Sequence, residues 1–376
     1  MKLVVFGLTI SSSWGNGHAT LWRGLCRALA RRGHRVTFFE RDVAYYAAHR
    51  DLQSLEGVDL RLYGDWSEIA RAAEAETRSA DVAMVTSYCP DAIDATRLVT
   101  ESARLSVFYD MDAPMTLERL QAGLAVAYVG ARGFRDFDLV LSYTGGVTLN
   151  ELRVWLGARR VAPLYGSVDP DSHRPMPPAP QYSAHLSFLG TYAADRQAAL
   201  ERLFVNAARA RPDCRFVIGG AQYPEAFPWT ENIYFVQHLP PGEHPAFFCS
   251  SPMTMNVTRP AFATRGYCPS GRLFEAAACG AAIVSDEWVG LSTFFTPGSE
   301  ILLARDTNDV LAAVALDSEE ARRIGERARE RVLDEHTAER RASELELLLA
   351  SATNRRAEIE HLPQRSSRAD HTNLEL

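Results

Sequence analysis

The sequence predicts an α/β protein built as two doubly wound halves. Three observations lead there. Short apolar runs alternate with helix-patterned segments through the first half. A proline-rich stretch then breaks the pattern near residue 165. The same alternation restarts beyond it and continues to about residue 335. Apolar runs flanked by helices indicate parallel strands covered on both faces. Ligands of such sheets bind at the carboxyl ends of the strands, so two facing halves predict one cleft lined from both sides.

In the first half, "KLVVFGL", "RVTFFE", "DVAMVTS", "LSVFYDM" and "LVLSYT" read as buried strands. The segment "ATLWRGLCRALARRG" reads as a helix that stops at Gly33. Residues 1–165 are therefore assigned to an N-terminal Rossmann-like domain. "YGSVDPDSHRPMPPAP" holds five prolines and has neither a helix nor a strand period. It marks a linker over 166–182. Beyond it, "HLSFLG", "RFVIGG", "NIYFVQHL", "TMNVT" and "AAIVSD" read as strands, and "RQAALERLFVNAARA" and "SGRLFEAAACG" as helices. They define a C-terminal Rossmann-like domain over 183–335. Residues 336–352 are expected to form a helix that packs back on the first domain. The polar, aperiodic segment 353–376 is expected to be a mobile tail.

Bulk properties narrow the class. A chain of 376 residues suits two domains, and 47% apolar with 23% charged residues is an ordinary globular balance. The formal net charge of −7 speaks against a dedicated nucleic-acid binder. Cys26, Cys89, Cys214, Cys249, Cys268 and Cys279 form no CxxC pair, which argues against a zinc ribbon or redox motif and fits a reducing, cytoplasmic setting. No apolar stretch approaches a membrane span, and the first apolar run is too short for a secretory signal.

Three motifs carry chemistry. In "CPSGRLFEAAACGAAIVSD", Ser270 is placed to cap a helix, Gly271 to allow close approach at its first turn, and Gly280 to end it. The helix N-terminus offers free N–H groups to an anion. Leu273, Phe274, Ala277 and Ala278 fall toward the core, while Arg272 and Glu275 fall on another face. Glu275 has the chemistry to accept hydrogen bonds from the two vicinal hydroxyls of a ribose. The plain alternative is an Arg272–Glu275 pair on a solvated face. In "FYDMDAP", Asp110 and Asp112 end a strand. They are candidates to orient a base or bind the hydroxyls of a ligand, and Asp112 equally suits a helix start.

The third motif is "SSSWGNGHAT". His18 stands at a strand-to-helix junction, where an imidazole can act as general base. Gly15, Asn16 and Gly17 form the loop before it, with the glycines leaving room for a ligand. The plain alternative is a helix-start histidine bonded to backbone. A second functional reading is an NAD(P) site, with Gly15-x-Gly17 as the turn and Glu40 as the ribose acid. The long loop and Thr20 at the third glycine position count against it.

The helix motif resembles the donor-binding signature of GT-B glycosyltransferases, "EAxxxG". With "LSFLGTYAADRQAALERL", "FVIGGAQYP", "MNVTRP", "SDEWVGLSTFFTPGSEILLARD" and "FYDMDAPMTL", the chain looks like the CgeB-type (spore maturation protein) glycosyltransferases to about residue 350. The resemblance implies sugar transfer from a nucleotide-sugar donor to an acceptor that the motifs do not name. It gives Glu275 the ribose, and Arg259, Arg272 and Arg196 the diphosphate, beside Ser270 and Gly271. Asp286 and Trp288 would lie near the sugar. No cofactor is implied. Asp110 and Asp112 look like the metal-binding DxD of the unrelated GT-A architecture, but they fall in the acceptor half, so no metal is expected. Tyr267 stands where many retaining members carry a first glutamate, so retention does not carry over. The alternatives are an NAD(P)-dependent oxidoreductase and a GT-B-like binding protein without catalysis.

Overall fold

A computed structural model describes residues 1–360; the expectation for residues 361–376 lies outside the described residues. The first sheet has seven strands: β1 (Lys2–Gly7), β2 (Arg35–Arg41), β3 (Val58–Tyr63), β4 (Val82–Thr86), β5 (Ser106–Asp110), β6 (Leu139–Ser142) and β7 (Val161–Pro163). Their order is β3-β2-β1-β4-β5-β6-β7, and every pairing is parallel. The second sheet has six strands: β8 (Leu186–Leu189), β9 (Phe216–Gly220), β10 (Ile233–Gln237), β11 (Met253–Asn256), β12 (Ala282–Ser285) and β13 (Leu302–Leu303). Their order is β10-β9-β8-β11-β12-β13, again all parallel.

The central strands are fully buried because both faces carry apolar side chains. Val4 and Phe6 face one core of the first sheet, and Leu3 and Val5 the other. The strands absent from the sequence reading are edge strands. β3 carries Asp59 and Arg61 and is only half-buried, β7 spans three residues, and β13 spans two. The expected helix over "RQAALERLFVNAARA" is interrupted by a π turn at Glu201–Val205.

Both sheets reverse strand order beside their first strand, between β1 and β4 and between β8 and β11. The loops that leave β1 and β8 therefore open on topological switch points, where a crevice forms between diverging helices. One loop ends at His18, where the helix His18–Arg31 begins, and the other carries Gly190 and Arg196.

The proline-rich segment is more than a tether. Asp169 and His173 are buried, Asp169 Oδ2 accepts from Arg27 Nε at 2.7 Å, and Val168 pairs with Thr337. The chain returns at that pairing into the helix Ala338–Glu360, which packs Ala342, Leu345 and Leu349 beside Trp22, Leu25 and Leu29 in the first core. That helix continues through residues 353–360, which were expected to be part of a mobile tail. Among the described residues, no helix is long and apolar enough to cross a membrane.

Candidate functional site

A cavity of about 610 Å³ lies between the two sheets, within the usual size range of a small-molecule site. The lining segments from both halves follow the C-terminal ends of strands. The first half supplies Gly15, Asn16, Gly17, His18, Tyr46, Tyr88, Asp112 and Tyr143. The second supplies Gly190, Arg196, His238, His244, Arg259, Ser270, Gly271, Arg272 and Glu275.

The loop before His18 is held from behind. The Glu40 carboxylate, buried at the end of β2, accepts from Thr9 Oγ1 at 2.8 Å, Ile10 N at 2.7 Å, Ser11 N at 3.0 Å and Ser11 Oγ at 2.5 Å. Four donors occupy this carboxylate, so it does not face a dinucleotide ribose. The Asn16 side chain starts the helix, accepting from Ala19 N at 3.1 Å. Gly15 has φ +67°, and a Cβ there would come within 2.8 Å of Tyr45 Oη. His18 Nδ1 is buried with no hydrogen-bond partner. Burial lowers the His18 pKa, partly countered by the Asp112 carboxylate, so its imidazole is neutral at pH 7.

The two aspartates divide. Asp112 lines the cavity and does not cap its helix with its side chain. Asp110 lies behind it, fully buried, accepting from Asp112 N at 3.0 Å while its Oδ2 has no partner. Burial raises the Asp110 carboxyl to about 7.

On the opposite wall, two guanidinium groups converge. Arg196 and Arg272 both pack on the Phe188 ring, 5.3 and 5.0 Å from its centroid. Arg272 Nη1 donates to Asn256 Oδ1 at 2.9 Å, and Arg196 Nη2 donates to the Thr191 carbonyl. Neither makes a salt bridge among the described residues, although Glu275 lies close enough to favour the Arg272 charge. Burial, then the neighbouring Arg196, lowers Arg272 to about 10. Two buried cations that repel each other form a ready anion site. Gly190 makes room for them: a Cβ there would stand 2.7 Å from Arg272 Nη2 and 3.3 Å from Arg196 Nη2.

Beside this pair lies a cluster absent from the sequence reading. Ligand atoms of His173, His244 and Glu275 all lie within 4.8 Å of one another. His173 comes from the proline-rich segment, and His244 begins the short helix His244–Cys249. Two imidazoles and a carboxylate suit a vicinal diol, and they equally suit a zinc-type ion. No spacing in the sequence pointed to the trio, because its members come from three separate segments.

Residues 196–346 match the family model described as Glycosyl transferase-like. Among solved structures, sucrose-phosphate synthase from Thermosynechococcus elongatus superposes with a TM-score of 0.68 at 14% identity, over 94% of this chain and all of that one (100%). Anabaena HepE in complex with UDP-glucose gives 0.65 at 13%, over 93% of this chain and 100% of that one. An α-glucosyltransferase solved with UDP and a 13-mer DNA gives 0.66 at 12%, over 93% and 99%. The fold is GT-B. No curated protein matches the chain in sequence.

The GT-B cleft brings most of the expected residues to one cavity, with three differences. Arg259 lines the rim, where it pairs with Asp195 at 2.9 Å, while Arg196 takes the buried place beside Arg272. Asp286 and Trp288 are not among the lining residues. Asp286 accepts from Thr258 N at 3.0 Å and Oγ1 at 2.9 Å, fastening the loop before Arg259, and Trp288 packs against Phe294. Ser270 precedes its helix without capping it through its side chain. Tyr267, with φ +46°, wedges between the halves: a Cβ at either Gly146 or Gly290 would meet its ring at 2.6 Å.

Proposed function

We propose that this chain is a glycosyltransferase of the CgeB type, acting in the cytoplasm. It moves a sugar from a nucleotide-sugar donor held by the second half to a hydroxyl presented by the first. The observation that carries the reading is the opposition of His18 to the Arg196–Arg272–Glu275 wall across one cavity.

In this reading Glu275 accepts hydrogen bonds from the ribose hydroxyls. Burial disfavours its charge, but His173, His244 and Arg272 outweigh that and hold it at about 2. The diphosphate occupies the space before Arg196 and Arg272. These residues bind it and stabilise the charge that develops on it as the glycosidic bond breaks. They supply the positive charge that a metal would otherwise bring, which supports transfer without one. The acceptor hydroxyl loses its proton to His18, whose lowered pKa keeps it free to act as base at neutral pH. Asp112 stabilises the imidazolium that results. The six cysteines are all free thiols, in keeping with a reducing compartment.

The test is incubation of the purified protein with UDP-, GDP-, ADP- and TDP-sugars, with and without EDTA, while following nucleotide release. Release of one nucleotide, unaffected by EDTA, is expected. Thermal stabilisation by NAD or NADP and by no nucleoside diphosphate would refute the reading.

A further inference from the structure

The two walls of the cleft differ in charge. The second half lines it with Arg196, Arg259 and Arg272. Among the described residues that line it from the first half there is no Lys or Arg, and the charged side chain there is Asp112. Arginines behind that wall are already committed. Arg23 pairs with Asp51 at 2.6 Å, Arg41 with Asp91 at 2.8 Å and Arg50 with Asp42 at 2.7 Å.

The same wall presents tyrosines, and one is held under strain. Tyr88 has φ +63°, a left-handed backbone that an aromatic residue rarely adopts and that tends to persist where the surroundings impose it. Its ring lies 5.8 Å from the His18 ring and 5.0 Å from that of Tyr128. Tyr128 is buried and hydrogen-bonds Thr116 at 2.8 Å, which fixes that side of the contact. Tyr88 nevertheless remains 39% exposed within the cleft, so its surroundings hold the ring beside the candidate base and leave it open to a ligand.

We infer that the acceptor is an uncharged polyol, a neutral sugar or glycoside, stacked on Tyr88. This rests on the glycosyltransferase reading above. The apolar C–H face of a pyranose packs on an aromatic ring, while its hydroxyls meet His18 and Asp112. A phosphorylated or nucleic-acid acceptor needs cations on the wall that receives it. Here such a ligand would meet a carboxylate. Tyr88 is an acceptor-binding residue, and it takes no part in holding the donor.

The experiment uses the full chain. Saturation-transfer NMR compares maltose, cellobiose and chitobiose with glucose 6-phosphate, maltose 1-phosphate and a single-stranded DNA 13-mer. Nucleoside diphosphates are titrated in parallel by thermal shift. At least one neutral disaccharide is expected to bind at least fivefold tighter than every phosphorylated ligand. Tyr88→Ala should lose that binding at least fivefold, Tyr88→Phe should keep it, and both should keep the wild-type nucleotide shift. Tyr88→Gly, which suits the left-handed backbone, should repeat the alanine result in a fold free of strain. Tighter binding of a phosphorylated ligand, binding of no neutral sugar, or full binding by the alanine and glycine variants would each overturn the inference. If the nucleotide arm shows no shift at all, the glycosyltransferase reading is what fails.

Discussion

His244 Nδ1 lies 3.7 Å from Glu275 Oε2, while the other ring nitrogen of His244, Nε2, lies 3.2 Å from the Leu239 carbonyl. A carbonyl only accepts, so Nε2 carries a proton, and Nδ1 is the ring nitrogen that faces the carboxylate. Nδ1 is buried and makes no hydrogen bond, so the gap between it and the carboxylate is open to a ligand group. His173 Nε2, buried and without a partner, adds a third group to the same point.

In the proposed function a ribose hydroxyl sits between these groups, and the cluster acts as a diol clamp. Glu275→Ala should weaken UDP at least about 30-fold, since charged hydrogen bonds contribute about 1.5–3 kcal/mol each. His244→Ala should weaken it about tenfold and narrow the preference for UDP over 2′-deoxy-UDP. Calorimetry on the two nucleotides reads both effects. Unchanged affinity in Glu275→Ala removes the ribose assignment.

In the proposed function the Arg196–Arg272 pair trades stability for binding. Without an anion, two buried cations repel, so Arg196→Met should melt no lower than the wild type when unliganded. The same variant should weaken UDP by about 10- to 100-fold. A melting scan with and without UDP measures both. A variant that melts lower alone and binds normally contradicts the anion site.

His18→Asn should lower kcat at least about 100-fold, the usual contribution of a general base, with donor affinity unchanged. The folded pKa lies below 6.5, so the acid limb of kcat/KM should fall below pH 6.5. Rates measured from pH 4.5 to 8 locate it. An acid limb above 6.5, or one that persists in the variant, would place the base elsewhere.

Acid should loosen the return crossing. Burial, then Arg341 and Arg331, lower His336 to about 4, and its carbonyl accepts from Val168 N at 3.0 Å where the chain re-enters the first half. Between pH 6.5 and about 4 the unfolded chain binds the extra proton. Stability from this group is therefore complete above 6.5 and declines as the pH falls through that window, by about 3 kcal/mol at most. Denaturant melts at pH 7.5 and 5 should differ less in His336→Phe than in the wild type. An equal difference would show that His336 is not responsible.

Periodicity made the central strands legible, since runs such as "LVVFG" and "FVIGG" have apolar residues on both faces. The edge strands β3, β7 and β13 escaped because they are short or half polar, so pattern alone does not separate them from loops. Glu275 was readable as a candidate because the local grammar of a helix start surrounds it, and the fold brings it to the cavity wall. Glu40 was readable as an acid twenty-odd residues past the glycines, but its meaning was not. Only the fold shows Thr9, Ile10 and Ser11 converging on it.

By itself, the sequence determined two parallel α/β sheets, their order along the chain and a candidate binding motif on the second. These follow from side-chain patterning over a few neighbouring residues. Tertiary structure decided which arginines converge, that a proline-rich segment delivers His173 to Glu275, and that Tyr88 stands beside His18 on a wall without cations. Those facts depend on distances between residues far apart in the chain, and only packing the two halves together sets them.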